Sequence, residues 1–331
     1  MNHAGMKLLA MKHLGKLLAA IGLLLAVWLF SREDFGAIVV LLRQAGPGLL
    51  LACLVHIIPM ALNAHAWRVI LPGAGRPSLA SMLRIVWVRE AINGLLPVAR
   101  IGGEIVSYRL LRRIGVRRSP AVASLTVDMA LSILSQFAFA LLGIGFLQAQ
   151  AGGPLIAKLG LALLLLACIA VAFVVVQRAG FFERVTRLLN RFAAGRFEGA
   201  IGHSARIDRA IKAMYQRRGM IVRCLFWQLS GWIAGAAEIW VALWFLGHPI
   251  GIVEAIIIES IIQAVSSAAF VVPAALGVQE AAFMLIGAAL GLGPAPALAL
   301  AAVRRLRDCV VFMPGLISWQ MAEGAASPRP T

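Results

Sequence analysis

The chain has 331 residues, 61% of them hydrophobic and 14% charged, with mean hydropathy +0.89 and net charge +17. A soluble domain is nearer half apolar, whereas here windows of about 20 apolar residues recur, each long enough to cross a bilayer core. The runs do not alternate apolar with polar residues, which excludes a transmembrane barrel and leaves an all-α polytopic membrane bundle. The excess of base does not indicate nucleic acid. The Lys and Arg residues lie in loops between spans, where they set topology and meet anionic inner-leaflet lipid.

The first span is expected at about 14–30. Lys7, Lys12 and Lys16 come before its apolar run to Phe30, and Ser31-Arg32-Glu33-Asp34 is a poor cleavage context, so it reads as an uncleaved helix. Residues 35–42 are too short to cross and read as interfacial. The second span, 47–69, carries His56, Pro59 and Asn63. Residues 79–96 are apolar but hold Arg84, Arg89, Glu90 and Asn93, and the run is broken at Pro97 and Gly102-Gly103. A basic stretch from Arg109 to Arg118 follows. The third span, 120–147, contains Asp128, and the fourth covers 155–176. Residues 178–218 form a basic arm, within a single membrane domain 1–331. Another span, 220–246, holds Glu238. Residues 251–291 form a second broken pair, interrupted at Pro273 to Gly277. The last span, 295–320, carries Arg304, Arg305, Arg307 and Asp308. This makes about six full spans plus two broken, re-entrant hairpins.

Charge orients these elements. The arm has ten Lys and Arg, while the connections near Gly152 and His248 have none. By the positive-inside rule the arm and both termini are cytoplasmic, and those connections lie outside. The Arg109–Arg118 stretch is then cytoplasmic too, so the first hairpin enters and returns from the inside. By the same parity the second enters and returns from the outside. The result is an inverted repeat: span, hairpin, span, then the same unit upside down. Within the arm, Phe181, Phe182, Val185, Leu188, Leu189 and Phe192 follow a helical period beside Arg184, Arg187 and Arg191. That pattern predicts a helix lying on the inner leaflet with its Arg residues at the lipid headgroups.

The two breaks share a skeleton. One reads Leu96-Pro97-Val98-Ala99-Arg100-Ile101-Gly102-Gly103-Glu104, the other Val272-Pro273-Ala274-Ala275-Leu276-Gly277-Val278-Gln279-Glu280. In each, Glu follows Pro by the same spacing, which predicts that it starts the returning helix, where the helix dipole favours a carboxylate. Broken, polar segments at corresponding points of two halves point to a transporter-type site near the midplane. Candidate residues for a lipid headgroup path are Asn93, Pro97, Arg100, Gly102, Gly103, Glu104, Asp128, Glu238, Pro273, Gly277, Glu280, Arg304 and Arg305. Arg100 and the Arg304/Arg305 pair are the expected counter-charges. The alternative is that these charges form buried ion pairs that fix hairpin packing. His56 reads as a partner for a backbone carbonyl freed by Pro59.

The stretch from Asn93-Gly94-Leu95-Leu96-Pro97 to Glu104 resembles the first signature of the lysylphosphatidylglycerol synthase transmembrane-region family. Pro273 and Gly277-Val278-Gln279-Glu280-Ala281-Ala282 resemble its second, and Arg304 or Arg305 fits an Arg of its last helix. In longer members this region flips aminoacylated phospholipid and a separate soluble domain attaches the amino acid. Here the sequence reaches Thr331 without such a domain, and Ala274 and Ala275 make the second turn poorer in glycine. The layout is similar to the stand-alone branch that includes a membrane protein associated with hopanoid biosynthesis. The resemblance implies an inner-membrane lipid flippase or lipid-export accessory rather than an enzyme. Its partners would be membrane lipids and lipid-synthesis enzymes.

No phosphate-binding G-x-x-x-x-G-K-[ST], no H-E-x-x-H and no G-x-S-x-G occurs, so no cofactor is expected and ATP-driven, zinc-protease and serine-hydrolase readings lack support. Cys53, Cys168, Cys224 and Cys309 are isolated, which argues against disulfides or a metal site and for small packing residues. Two further classes stay open. One is a membrane-embedded transferase acting on a lipid headgroup. The other is a non-catalytic scaffold for lipid-synthesis enzymes.

Overall fold

A computed structural model describes residues 35–73, 76–96, 102–153, 198–269 and 275–324, with isolated positions at 28, between 156 and 177, and at 272. All regular structure among the described residues is helical. In chain order the helices are α1 (Phe35–Ala45), α2 (Gly48–Val55), α3 (Ile57–Ile70), α4 (Leu79–Leu95), α5 (Gly102–Arg113), α6 (Arg118–Ala151), α7 (Glu198–Gln216), α8 (Arg218–Phe245), α9 (Ile252–Ala268), α10 (Val278–Ala289), α11 (Pro294–Arg307) and α12 (Met313–Gly324). A π-helical turn, Asp308–Phe312, joins α11 to α12. The first span apart from position 28, most of the fourth, the 181–192 stretch with Arg184, Arg187 and Arg191, and Pro97, Arg100 and Pro273 lie outside the described residues.

Local chemistry explains most helix ends. Ser78 caps α4, its hydroxyl accepting from the Ser81 N–H at 3.1 Å. The helix stops at Leu95, two residues before Pro97, where α conformation becomes unfavourable for the residue preceding the ring. Pro294 opens α11 with its fixed φ and no N–H to lose. Gly277 leads into α10 with φ +74°, a left-handed value that costs a side-chain-bearing residue roughly 1–2 kcal/mol.

Among the described residues, three helices are long and apolar enough to cross a membrane: Gly48–Ile70, in which α2 and α3 join at His56, Arg118–Gln150 and Arg218–Phe245. Their outward faces are apolar, with Val222, Phe226, Trp244 and Leu51 exposed. The protein is therefore a polytopic helical membrane protein. Four charges, Arg304, Arg305, Arg307 and Asp308, lower the hydropathy of the last helix, which still runs from Pro294 to Gly324 through the π turn.

The repeat expected from the sequence is visible in the dimensions of the hairpins. α4 and α9 have 17 residues each, and α5 and α10 have 12 each. Packing repeats as well. α3 packs on α4 as α8 packs on α9, α5 on α6 as α10 on α11. Each half also lends its closing span to the other: α6 packs on α9, while the π turn and α12 pack on α4. α3 and α8, the opening spans of the halves, pack together along the centre.

Two elements contribute more than their sequence patterns suggest. α1 extends to Ala45 and packs on α11, burying Ile38 in the core of the second half. The C-terminal part of the basic arm is α7, which packs on α6. Ile211, Met214 and Tyr215, at helical spacing, are buried there.

Candidate functional site

Two ionic clusters occupy the interior, and α4 faces both. Consecutive residues on a helix point about 100° apart, so Arg89 and Glu90 serve different neighbours. Arg89 Nη1 lies 2.9 Å from Asp128 Oδ2 on α6, and its Nη2 donates to Asn63 Oδ1 on α3 at 3.3 Å. The guanidinium also covers the ring of buried Trp67 at 4.9 Å. The second oxygen of Asp128 accepts from Gln228 Nε2 on α8 at 2.9 Å. Both carboxylate oxygens of Asp128 are thus bonded. Glu104 differs: its Oε2 stands 3.9 Å from Arg89 and, though buried, accepts no hydrogen bond among the described residues.

The hairpin is drawn tight around this cluster by Gly103. Its N–H donates to Asn93 Oδ1 at 2.9 Å. A Cβ at this position would stand 2.5 Å from that oxygen and 2.6 Å from the carbonyl of Arg89, so only glycine lets α5 approach α4 here.

The second cluster centres on Glu238 of α8. Its Oε2 is 2.9 Å from His56 Nδ1 and 3.6 Å from Arg307 Nη1, and its Oε1 is 3.6 Å from Arg304 Nη1. Arg304 is paired with Glu259 of α9, whose Oε1 also accepts from Gln263 Nε2 at 2.7 Å. His56 Nε2 faces Glu90 at 3.4 Å. Arg305 points away from this group, to Glu280 Oε1 at 2.7 Å and Asp308 at 3.7 Å. Asp308 also contacts Arg307 at 2.8 Å. The π turn begins right after Arg307. Such turns insert a residue into the helix, re-aim the side chains that follow, and recur at functional sites.

The two clusters touch α8 at Gln228 and Glu238, ten residues and about 15 Å apart along the helix. That is roughly half the hydrocarbon thickness of a bilayer. Polar groups thus occur at two depths of the same bundle.

The structure keeps several of the expected positions and rearranges others. Glu104 and Glu280 lie in the first turn of α5 and α10, where their spacing puts them. Asn93, Gly102, Gly103, Glu104 and Asp128 gather around the first hairpin. Glu238 joins Arg304, while Glu280 joins Arg305. Gly277 precedes α10 at the second break. Within the described residues the counter-charge of Glu104 is Arg89, while the expected partner Arg100 lies outside them. The sequence pairs His56 with a backbone carbonyl freed by Pro59; its ring instead contacts Glu238, Glu90 and Arg307. Arg89, His56 and Arg307 belong to the clusters without being among the candidates read from the sequence. The available signal is their ionisable character inside apolar runs, which singles out such residues by cost alone.

Among the described residues the clusters contain seven carboxylates (Glu90, Glu104, Asp128, Glu238, Glu259, Glu280, Asp308) against the guanidiniums of Arg89, Arg304, Arg305 and Arg307. Half of the 14 acidic residues of a strongly basic chain are therefore gathered in its interior. An interior with that surplus favours a cationic group.

The family model described as Lysylphosphatidylglycerol synthase TM region matches residues 15–315. No curated protein and no solved structure matches the chain.

Proposed function

We propose, for a chain that belongs to the lysylphosphatidylglycerol synthase transmembrane-region family and so has a membrane-lipid role, that it moves a phospholipid between leaflets of the bacterial inner membrane. Its termini would be cytoplasmic. It would act as a flippase or transport accessory, without making or breaking covalent bonds. The headgroup class is one that carries an ammonium group, as an aminoacylated lipid does.

The observation that carries this reading is the pair of ionic clusters at two depths, with carboxylates in excess. A charged side chain at mid-bilayer costs at least about 2.5 kcal/mol on insertion scales. Packing alone needs only matched pairs, and among the described residues these clusters hold more acid than base. The ammonium would meet the under-bonded Glu104 at one depth and the Glu238 group at the other, while the acyl chains stay in lipid. In this reading Arg89 and Arg307 would receive the phosphate as lipid displaces their present partners.

The test is reconstitution of the full chain in phosphatidylethanolamine/phosphatidylglycerol vesicles carrying a fluorescent aminoacylated phosphatidylglycerol in one leaflet. The expected outcome is faster loss of lipid asymmetry than in protein-free vesicles, and faster for the aminoacylated probe than for plain phosphatidylglycerol. Equal rates with and without protein would overturn the proposal. Equal rates for the two probes would remove its headgroup assignment.

A further inference from the structure

The ring of His56 lies between partners that cannot all be satisfied at once. Nδ1 is 2.9 Å from Glu238 Oε2 and 2.8 Å from Arg307 Nη1. Nε2 is 3.4 Å from Glu90 Oε2 and 3.0 Å from the same Arg307 nitrogen. A carboxylate only accepts, so contact with Glu238 or Glu90 requires a ring N–H. A guanidinium only donates, so contact with Arg307 requires a bare ring nitrogen. Imidazolium has two N–H groups and satisfies both carboxylates but opposes Arg307. Neutral imidazole has one N–H and one acceptor, and can keep one carboxylate together with Arg307.

We propose that His56 is a proton-binding site coupled to lipid movement, with the proton and the Arg307 guanidinium as alternative partners of its ring. The coupling rests on the translocation reading above; the proton site itself does not. Charged and titratable groups face the ring from each element packed around it. They are Glu90 on α4, Glu238 on α8, Arg307 on α11 and Asp308 behind it on the π turn, with Cys53 one turn earlier on α2. Arg304 reaches the group through Glu238, and Phe312 closes it edge-on at 5.6 Å.

Glu90 is the way in. Its side chain is 25% exposed, against 3% for Glu238. A proton taken up at the Glu90 carboxylate passes to the ring, giving imidazolium and returning Glu90 to carboxylate. No other bond changes. Glu238 then pairs with His56, so this buried acid keeps a cation when Arg307 withdraws. Arg307 has a second partner at hand, Asp308 at 2.8 Å, the first residue of the π turn. Its Nη1 becomes available to donate to a phosphate oxygen. With the site open to the other side, the ring returns the proton to the Glu90 carboxylate and so to water, which draws Arg307 back to the ring and ejects the phosphate. One proton thus accompanies one phosphate-bearing lipid.

Two measurements on the full chain test this separately. In nanodiscs, histidine labelled with nitrogen-15 is followed by NMR from pH 5 to 9, the His56 signals being those missing from His56→Gln. A change from imidazole to imidazolium signals within that range is expected, and none at all would overturn the proton site whether or not lipid moves. In vesicles, translocation of the fluorescent lipid is compared with and without a pH gradient of one unit. The gradient is expected to drive the lipid to a steady-state imbalance between leaflets of up to about tenfold, the limit for one proton per lipid, and this ratio should fall to one in His56→Gln. A wild-type ratio of one with clear lipid movement would overturn the coupling. A titrating ring in a protein that moves no lipid would sink the translocation reading and leave the proton site standing.

Discussion

Asp128 and Arg304 stand at the same place in the two halves, each ten residues past the start of the helix that follows its hairpin. Each is held by an opposite charge on the first arm of that hairpin. Arg89 holds Asp128 at 2.9 Å, and Glu259 holds Arg304. The two latches are equivalent in position and reversed in polarity. Both tie a 17-residue arm to the span that follows its hairpin.

Breaking one latch should destabilise the bundle through the charge left behind. Arg89→Leu leaves Asp128 buried with only Gln228, and should cost about 3–5 kcal/mol. Arg89→Leu combined with Asp128→Leu removes both charges and should recover most of that loss. Thermal unfolding in detergent checks the order wild type, double variant, single variant. A single variant as stable as the wild type would remove the latch.

Glu104→Gln and Glu280→Gln should each abolish lipid translocation while expression and membrane insertion persist. Gln keeps the size and a hydrogen-bonding end but cannot neutralise a cation. Arg206→Gln, on the exposed face of α7, is the control and should transport normally. Lipid asymmetry in a deletion strain carrying each variant is the readout. Normal transport with both Glu residues neutralised would leave only the packing role.

Gly103→Ala should open the first hairpin. The added methyl meets the Arg89 carbonyl at 2.6 Å, a backbone atom that cannot rotate away. A loss of about 1–3 kcal/mol follows from overpacking of this kind, together with weaker trypsin resistance at Arg109 and Arg112. Unchanged stability and cleavage would mean that α4 and α5 separate freely.

At the second break, Ala275 (φ +48°) and Gly277 (φ +74°) both have left-handed backbone. Gly277→Ala should therefore cost about 1–2 kcal/mol. Ala275→Gly should be neutral or stabilising by under about 1 kcal/mol, since relief of strain offsets the entropy of glycine. Paired melting curves decide. A larger loss at Ala275 than at Gly277 would contradict the turn geometry.

If the two halves are inverted as the charge pattern expects, two loops should lie on opposite faces. In a protein whose native cysteines are replaced, His248→Cys should react with an impermeant thiol reagent in intact cells. Ile114→Cys, exposed beside the basic stretch, should react only after permeabilisation. The reverse pattern would invert the whole topology.

Much of this protein is local, and the sequence alone determined it. Apolar runs of membrane length, Pro and Gly breaks, and the placement of Glu104 and Glu280 at helix starts depend on neighbours within one or two turns. Hydrophobic burial and helix capping act at that range. The same holds for the match between the two hairpins. Residues 198–216 are the instructive intermediate case. Their helical period is legible, but only packing against α6 shows that Ile211 and Tyr215 belong to the core rather than to a peripheral arm.

Only the tertiary structure decided which charge meets which. Arg89 on α4 neighbours Glu104 on α5, fifteen residues on, because Gly103 brings α5 down onto α4. His56 and Glu238 are 182 residues apart, and His56 and Arg307 are 251 apart. No periodicity or spacing rule reaches that far. In a low-dielectric interior a buried charge must find a partner wherever the packed helices present one. The identity of that partner is therefore fixed by how α2, α8 and α11 cross, not by any stretch of sequence.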